Sequence, residues 1–550
     1  MHLTTLLAVT GLLLAVYLAT RRKPTSSLPL PPGPKPLPLI GNIHQAPKSH
    51  GWRIYQQWSK EYGPIVHVNM LGQHVIILSS TEVAHEILAK RGAAFSDRPR
   101  LFLANELALK GLNILMMNYT PQFRQHQRLH ASVLNTTPAA SYLPLQTLES
   151  TQLVHDLANN ASNPSGTEVQ KYFQRAIASI IHTLLYGFRI ADPDDAMLDK
   201  IAKFNHEFSE FVQVGAHIVD ILPVLNNLPG FLAPWKDKAE RHFQGKYALR
   251  RENFQHALQR DAWNIAKYLK HSVEQDKLDM PMDELAFELG TIIDASLDGT
   301  TDSLMWFVVA CVTQDPTGTG FIARALEEIE RVVGRARMPV PEDRAHMPYV
   351  SAIVEEVLRW RPVGPEGVPH LHKEETTYNG YRIPANSVIV PNAWTISREE
   401  AVFGPDPEAF MPERWLVDAD PASNPDTTSK DYTKAKTKTL NKTMLSSVSG
   451  FGYGRRTCPG RHFARNVIWI VIAQLLWAFD IRPGIDEGTG ESIPVDPLAC
   501  TYGLVMRSLP FKASFRARGE WVRDILGGGD TYGVDLGAML ERIGAEVGKA

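Results

Sequence analysis

Apolar positions are spread unevenly along the chain, and the first departure from average is at its start. From Leu3 to Thr20 there is no charge and the run is rich in Leu, Val and Ala. These 18 residues come near the lower limit for spanning the hydrocarbon core as a helix. Arg21-Arg22-Lys23 follows at once, and the positive-inside tendency holds everything downstream on the cytosolic side. A cleaved secretory signal would carry its charge before the apolar run, so residues 1–20 read as a single-pass anchor. Leu28-Pro-Leu-Pro-Pro-Gly-Pro-Lys-Pro-Leu-Pro38 comes next. Repeated prolines fix φ and remove backbone donors, which predicts a stiff, extended spacer over 21–48.

Beyond Ser49 the periodicity is mostly helical, over 144–160, 168–186, 197–218, 235–275 and 283–314. Val66–Leu78 alternates and is β-branched, which predicts a hairpin turning at Leu71-Gly72-Gln73. Tyr378–Val390 has strand-and-turn character. The fold class is therefore mainly α with a minor β portion (α+β), in one body over 49–516. Residues 417–446 are polar, lysine-dotted and poor in apolar side chains, as in a surface loop. Residues 517–550 form a C-terminal extension with a peripheral helix expected near 533–547 and no assigned role.

Composition narrows the class. Lys+Arg (57) and Asp+Glu (59) nearly cancel in 550 residues, which argues against a dedicated nucleic-acid binder. Three cysteines, Cys311, Cys458 and Cys500, cannot build a disulfide framework at this size, and they fit a reducing compartment.

The chemistry concentrates in Phe451-Gly-Tyr-Gly-Arg-Arg-Thr-Cys458-Pro-Gly460. A lone cysteine before a helical run and beside arginines is expected to have a lowered pKa. Glycines let the backbone approach something flat and bulky. One thiolate without companions is a poor zinc site, which wants about four ligands. It suits a haem iron, to which an axial thiolate donates electron density for O–O cleavage. The plain alternative is a structural cysteine in a turn.

Phe451-x-x-Gly454-x-Arg456-x-Cys458-x-Gly460 resembles the haem-binding signature of the cytochromes P450 at every position, and the likeness runs from the anchor to about Arg516. Microsomal fungal members are the most similar. The resemblance implies the P450 fold behind an N-terminal transmembrane helix, haem b with Cys458 as axial metal ligand, and Phe451, Gly454, Arg456 and Gly460 as cofactor-binding residues. It also implies NADPH and O2 as co-substrates, a separate NADPH–cytochrome P450 reductase as partner, a lipophilic small-molecule substrate, and an endoplasmic reticulum membrane location with the catalytic domain cytosolic. No Rossmann fingerprint suggests a built-in flavin domain. Glu356-Val-Leu-Arg359 and Pro412-Glu-Arg414-Trp resemble the family's structural triad. Read alone, Glu356 and Arg359 are an ordinary solvated helix pair.

Two segments depart from the family. Its oxygen-activating pattern is Ala/Gly-Gly-x-Asp/Glu-Thr-Thr/Ser, whereas this chain reads Asp294-Ala-Ser-Leu-Asp298-Gly299-Thr300-Thr301. Gly299 stands where the alcohol belongs, and Thr300 falls about 100° further round an ideal helix. Asp298 and Thr300 are the proton-delivery candidates, Thr300 through a local bulge; a water at Gly299 is the alternative. Bonding of Thr300 and Thr301 back to helix carbonyls is the plain one. The family's Trp-x-x-x-Arg for a haem propionate reads Phe123-Arg-Gln-His126-Gln127 here, leaving Arg128, Arg124 or His126 to serve. Arg456 and His370 are further propionate candidates. Arg455, Arg461 and Arg465 form a basic face for an acidic electron donor. Pocket walls are expected at 102–118, 205–231, Asp294, Leu297, Val363–Val368 and Tyr502–Leu504. The apolar stretch Val219–Trp235 reads equally as a membrane-dipping entry or as core. The predicted function is a haem-thiolate monooxygenase of secondary metabolism. A haem-thiolate isomerase or dehydratase without O2, or a non-catalytic haem sensor, is the alternative.

Overall fold

The computed structural model describes residues 26–160, 163–213, 217–418, 438–527 and 531–549. The expected anchor over Leu3–Thr20 and its basic flank lie outside them. Among the described residues no helix is long and apolar enough to cross a membrane.

The chain forms two compact units. The first gathers the segment up to Pro99, Glu366–Ile396 and Gly452–Thr457. It contains helix α1 (Gly51–Tyr62) and strands β1 (Ile65–Met70), β2 (Gln73–Leu78), β3 (His370–His372), β4 (Thr376–Tyr378), β5 (Tyr381–Ile383) and β6 (Ser387–Pro391). Sheet order is β1-β2-β6-β3, with β2 and β6 parallel and the other pairs antiparallel. The expected hairpin turns at Leu71-Gly72, and Met70 faces Gln73. β4 and β5 pair separately. Ile76, Leu78, Ile87, Phe95, Ile389 and Tyr453 build the core. The described part of the proline spacer lies along this unit instead of standing clear. The His67 amide donates to Pro32 O (2.9 Å), the Arg382 amide to Pro29 O (2.8 Å) and the Asn69 amide to Asn42 Oδ1 (2.8 Å). Carbonyls that prolines leave available are used by the neighbouring strands.

The second unit, Arg100–Pro365, Ser397–Phe451 and Cys458 onward, is helical. Its longer helices are α2 (Pro121–Leu134), α3 (Leu143–Asn160), α4 (Gln170–Tyr186), α5 (Ala196–Phe211), α6 (Pro234–Gln259), α7 (Ile265–Gln275), α8 (Met282–Gln314), α9 (Phe321–Val332), α10 (Pro348–Trp360), α11 (Arg461–Ala478), α12 (Glu520–Leu526) and α13 (Leu536–Val547). Antiparallel pairs β7 (Leu416–Asp418) with β8 (Lys438–Leu440), and β9 (Phe479–Pro483) with β10 (Ala513–Ala517), complete it. The single helix expected over 235–275 is two. Asn264 ends the first register by capping α7, its Oδ1 accepting from the Lys267 amide. The helix expected over 197–218 stops at Phe211. Within 417–446 the described ends are ordered, as β7, β8 and a turn of helix at Lys442–Leu445; 419–437 lie outside the described residues. The C-terminal extension packs onto this unit. Glu541 Oε1 accepts from the Trp263 amide at 2.8 Å, and Arg189 Nη1 donates to Thr531 O at 2.8 Å.

α8 organises the unit. It has 33 residues and is apolar on nearly every side, as a helix buried in a large core must be. Its acidic groups Glu284, Glu288 and Asp302 are nonetheless buried and Asp294 and Asp298 largely so, and each has found a basic partner.

Candidate active site

Cys458 lies directly ahead of α11. Its amide donates to Phe451 O at 2.8 Å, closing the loop, and Arg461 Nη1 donates to the Cys458 carbonyl at 3.1 Å. A Cβ added to Gly460 would meet only the Cys458 sulfur, at 3.9 Å. The face of the Phe451 ring carries the Arg465 guanidinium, 4.6 Å from its centroid. The expectation of a lowered thiol pKa is corrected for the bare side chain. Burial pushes Cys458 up, and the Gly460 and Arg461 amides with the Arg461 and Arg465 charges only partly offset it. Those two amides, at the positive end of a helix, are still the surroundings an anionic sulfur needs. A bound metal cation reverses the balance outright. Among the described residues no group of three or more His, Cys, Asp or Glu side chains is placed to hold a metal ion. A single thiolate such as Cys458 offers a metal one protein ligand, which fits an iron already held by a macrocycle.

In the first unit Arg456 Nε donates to Ser96 O at 2.7 Å, and Arg98 Nη1 donates to Val368 O and Pro369 O at 2.9 and 2.7 Å. His370 Nδ1 donates to Phe95 O at 2.7 Å. Burial pushes the Arg98 guanidinium well below its ordinary value, and so does Arg456. His370 is held well below its own by burial and by Arg98, with Arg456 adding to them. Arg98 and Arg456 thus concentrate positive potential beside a neutral His370, which suits carboxylate guests such as haem propionates. Arg98 was not anticipated from sequence; a charged residue between Asp97 and Pro99 gives no sign that it is buried. Gly454 takes φ +56° with its Cα against the Leu88 carbonyl, where no side chain fits.

On α8 the bulge expected around Thr300 is absent: the helix is α from Met282 to Gln314. Thr300 is buried and stays a full residue's rotation from Gly299. A Cβ at Gly299 would meet nothing within 4 Å. Beside Gly299 the hydroxyl that bonds back to the helix is that of Ser303, which donates to Gly299 O at 2.8 Å. The buried Thr301 hydroxyl has no hydrogen-bond partner among the described residues. Asp298 accepts from Arg507 Nη2 (3.0 Å) and Asn205 Nδ2 (3.2 Å). Its carboxyl is raised by burial, against the pull of Arg507. Asp294, expected to face the pocket, is tied instead to Lys246 (2.8 Å) and Arg250 (2.5 Å) of α6.

α2 carries a second correction. His126 cannot serve a propionate, because it is fully buried against α8. Its Nε2 lies 2.8 Å from Glu284 Oε1 and its Nδ1 3.0 Å from Glu288 Oε2. His130 Nε2 is 2.5 Å from Glu288 Oε1. Burial works against the His126 charge, but Glu284 and Glu288 outweigh it and lift the imidazole to about 9. Burial likewise raises Glu288, and His130 and His126 bring it down to about 2. Arg124 and Arg128 sit exposed on the same helix and line a surface depression with Pro121, Gln125 and Gln127.

Glu356, Arg359 and Arg414 meet. Arg359 Nε and Nη2 donate to the two Glu356 oxygens, each at 2.8 Å, and Arg414 Nε donates to Glu356 Oε1 at 3.1 Å. Trp415 Nε1 and the Met411 amide add two more bonds to the same carboxylate, both 2.8 Å. Arg359 spends its remaining donors on Ser397 O, Pro407 O and Ala409 O. The pair is fully buried, so its i, i+3 spacing builds a core lock and no solvated pair. On the expected basic face, Arg465 is taken up by a two-point ion pair with Glu355 (2.8 and 3.0 Å). Of Val219–Trp235, Val224, Phe231 and Leu232 are exposed, Phe231 at 84%. Their side chains are therefore surface, not core.

The family model for cytochrome P450 matches residues 31–515. The cytochrome P450 monooxygenase aneD of Aspergillus aculeatus is 37% identical over 490 residues, covering 89% of this chain and 88% of its own. The cytochrome P450 monooxygenase drtD of Aspergillus calidoustus is 34% identical over 516 residues, covering 94% and 90%. The echilunin cytochrome P450 monooxygenase of Aspergillus ruber is 34% identical over 525 residues, covering 93% and 89%. With the thiolate loop and the Glu356 lock in place, the conclusion is direct: the chain belongs to the cytochrome P450 family, as an oxidoreductase of the monooxygenase type.

Proposed function

We propose that this protein inserts one atom of O2 into a hydrophobic small molecule of fungal secondary metabolism, with haem b on the Cys458 thiolate and electrons from NADPH through a separate reductase. The observation that carries the reading is the Cys458 sulfur facing the Gly460 and Arg461 amides at the start of α11. The haem, when bound, supplies dioxygen activation.

The chain's own residues do the rest. The two amides and the Arg461 side chain stabilise negative charge on sulfur, holding it as the thiolate and moderating its electron donation. Arg98 and Arg456 offer donors for the haem carboxylates, and His370, whose Nδ1 proton goes to Phe95 O, would add one from Nε2 once a carboxylate beside it favours its protonated form. Asp298 holds and releases the proton that oxygen chemistry consumes, oriented by Arg507 and Asn205. Gly299 brings no hydroxyl, so a water in the open space beside it completes the relay in place of Thr300. The exposed Val224, Phe231 and Leu232, and in the first unit Leu37, Leu39 and Leu71, support contact with a membrane. That fits an endoplasmic reticulum anchor over Leu3–Thr20 and a lipophilic substrate. The exposed Arg124 and Arg128 and the half-exposed Arg461 support docking of an acidic electron donor.

The test is the reduced, carbon-monoxide-bound absorption spectrum of the purified protein beside Cys458→Ala. A far red-shifted Soret band in the parent, lost in the variant, is expected. A histidine-like band in the parent refutes thiolate ligation. The missing hydroxyl at Gly299 also favours a second reading, isomerisation or dehydration without O2; product formation that consumes no NADPH would select it.

A further inference from the structure

Two carboxylates on α8 share one guanidinium. Asp298 and Asp302 are four residues apart and so lie on one face of the helix. Arg507 Nη2 donates to Asp298 Oδ1 and Arg507 Nε to Asp302 Oδ1, both at 3.0 Å. The two acids differ in everything else. Asp298 keeps some exposure, and Asn205 donates to its second oxygen. Asp302 is fully buried, and its Oδ2 has no hydrogen-bond partner among the described residues. Arg507 is held in register by its own turn. Its amide donates to Thr501 Oγ1 at 3.1 Å, and the preceding Met506 carbonyl accepts from Trp306 Nε1 of α8 at 3.0 Å.

We propose that Asp302 and Arg507 are positioning residues for proton delivery by Asp298, with Asp302 as the neutral member of the pair, so that the single Arg507 charge is committed to Asp298. The proposal rests on the monooxygenase reading for the role of Asp298, but not for the state of the pair. A lone buried oxygen without a donor is the costly place to keep a negative charge. Two carboxylates beside one cation cannot both ionise at equal cost. Among the described residues no second cation is bonded to the pair. Lys246 and Arg250 of α6 are bonded to Asp294, and the Lys246 charge reaches Asp298 only from that position. α5 contributes the neutral Asn205. His182 and Tyr186 of α4 face Asp294 and Arg250, one turn away. Burial first, and Asp298 as well, raise the Asp302 carboxyl to about 7 against the pull of Arg507. While Asp302 carries its proton, Arg507 and Asn205 fix Asp298 as an oriented carboxylate. When Asp302 gives its proton to solvent, Asp298 loses sole claim on the cation and binds a proton more tightly.

Infrared difference spectroscopy of the purified holoenzyme across the neutral range reads the pair without any substrate. The expected result is a protonated-carboxyl C=O band that titrates near neutrality and is missing in Asp302→Asn, with the carbon-monoxide spectrum unchanged. Arg507→Gln should move that titration to higher pH. Reductase-driven NADPH oxidation to hydrogen peroxide, which needs no substrate, should show a pH limb in the same range that Asp302→Asn flattens. Absence of the band in the parent overturns the proposal, even if no variant folds. A band that disappears in Asp302→Asn while the pH limb stays also overturns it, since the pair then has no hold on Asp298. Loss of the red-shifted carbon-monoxide band in the parent would instead refute thiolate ligation, and the infrared titration would still decide the state of the pair.

Discussion

Replacing Glu288 by Gln tests whether the buried contact of α2 with α8 is ionic. Gln keeps the volume and removes the charge that His126 Nδ1 and His130 Nε2 approach at 3.0 and 2.5 Å. The rise of His126 from 6.5 to about 9 corresponds to about 3 kcal/mol in favour of the imidazolium in the folded state. The fall of Glu288 from 4.5 to about 2 includes that attraction from the other side, with His130 adding to it, so the two are not summed. Breaking one partner out of a buried pair costs about 3–5 kcal/mol, which agrees in size. The two titrations set a pH window. A base whose folded pKa is raised contributes stability that is complete below its unfolded value and lost as pH climbs through the folded one. For His126 that is loss between 6.5 and about 9. Glu288 contributes stability that is complete above 4.5 and lost only as pH falls through about 2. Because Glu284 keeps its share of the His126 charge, urea unfolding of parent and Glu288→Gln, followed by tryptophan fluorescence, should differ by about 1.5–3 kcal/mol near pH 6. The gap should shrink to about 1 kcal/mol or less near pH 10. A gap that does not change between the two pH values would mean that Glu288 acts through packing and neutral hydrogen bonds, and the ionic argument would fail.

Other substitutions probe separate parts of the molecule. Glu356→Gln breaks a carboxylate that receives bonds from Arg359, Arg414, Trp415 and the Met411 amide, and should destabilise the fold by about 3–5 kcal/mol, read as a lower urea midpoint. Gly299→Ala adds a methyl that meets nothing within 4 Å, so helix propensity should win and thermal unfolding should report about 0.5–1 kcal/mol of added stability. Gly290→Ala on the same helix runs into the Arg250 side chain and should lower stability; if both variants behave alike, the space at Gly299 is not real. Phe231→Asp, at a side chain 84% exposed, should weaken binding to phospholipid vesicles without altering the carbon-monoxide spectrum, and unchanged sedimentation with vesicles would count against a membrane role for this segment.

What the sequence made legible was local. The Cys458 loop could be read because its glycines, arginines and cysteine fall within ten positions of one another and their chemistry is mutually explanatory. The Glu356–Arg359 pair was visible by spacing, yet spacing does not distinguish a solvated pair from one at 0% exposure; only the likeness to the family singled it out. The misreadings share one cause. His126 was read as a haem-side donor from its neighbours in sequence, whereas its partners Glu284 and Glu288 are some 160 residues away. A signal was present in principle: His126 and His130 at i, i+4 on the apolar side of α2, and Glu284 and Glu288 at i, i+4 opening an apolar helix, are two charged stripes in need of partners. Arg507 offered less, since a single arginine in an irregular segment reads as solvated until the fold brings it to Asp298 and Asp302. The cost of burying charge supplies the missing rule. Every acid on the inner faces of α8 needs a cation or a proton; Glu288 and Asp294 have basic partners of their own, whereas Asp298 and Asp302 share the single charge of Arg507. Of that pair, Asp302 has the second oxygen without a partner among the described residues, which makes it the cheaper place for the helix to keep a proton.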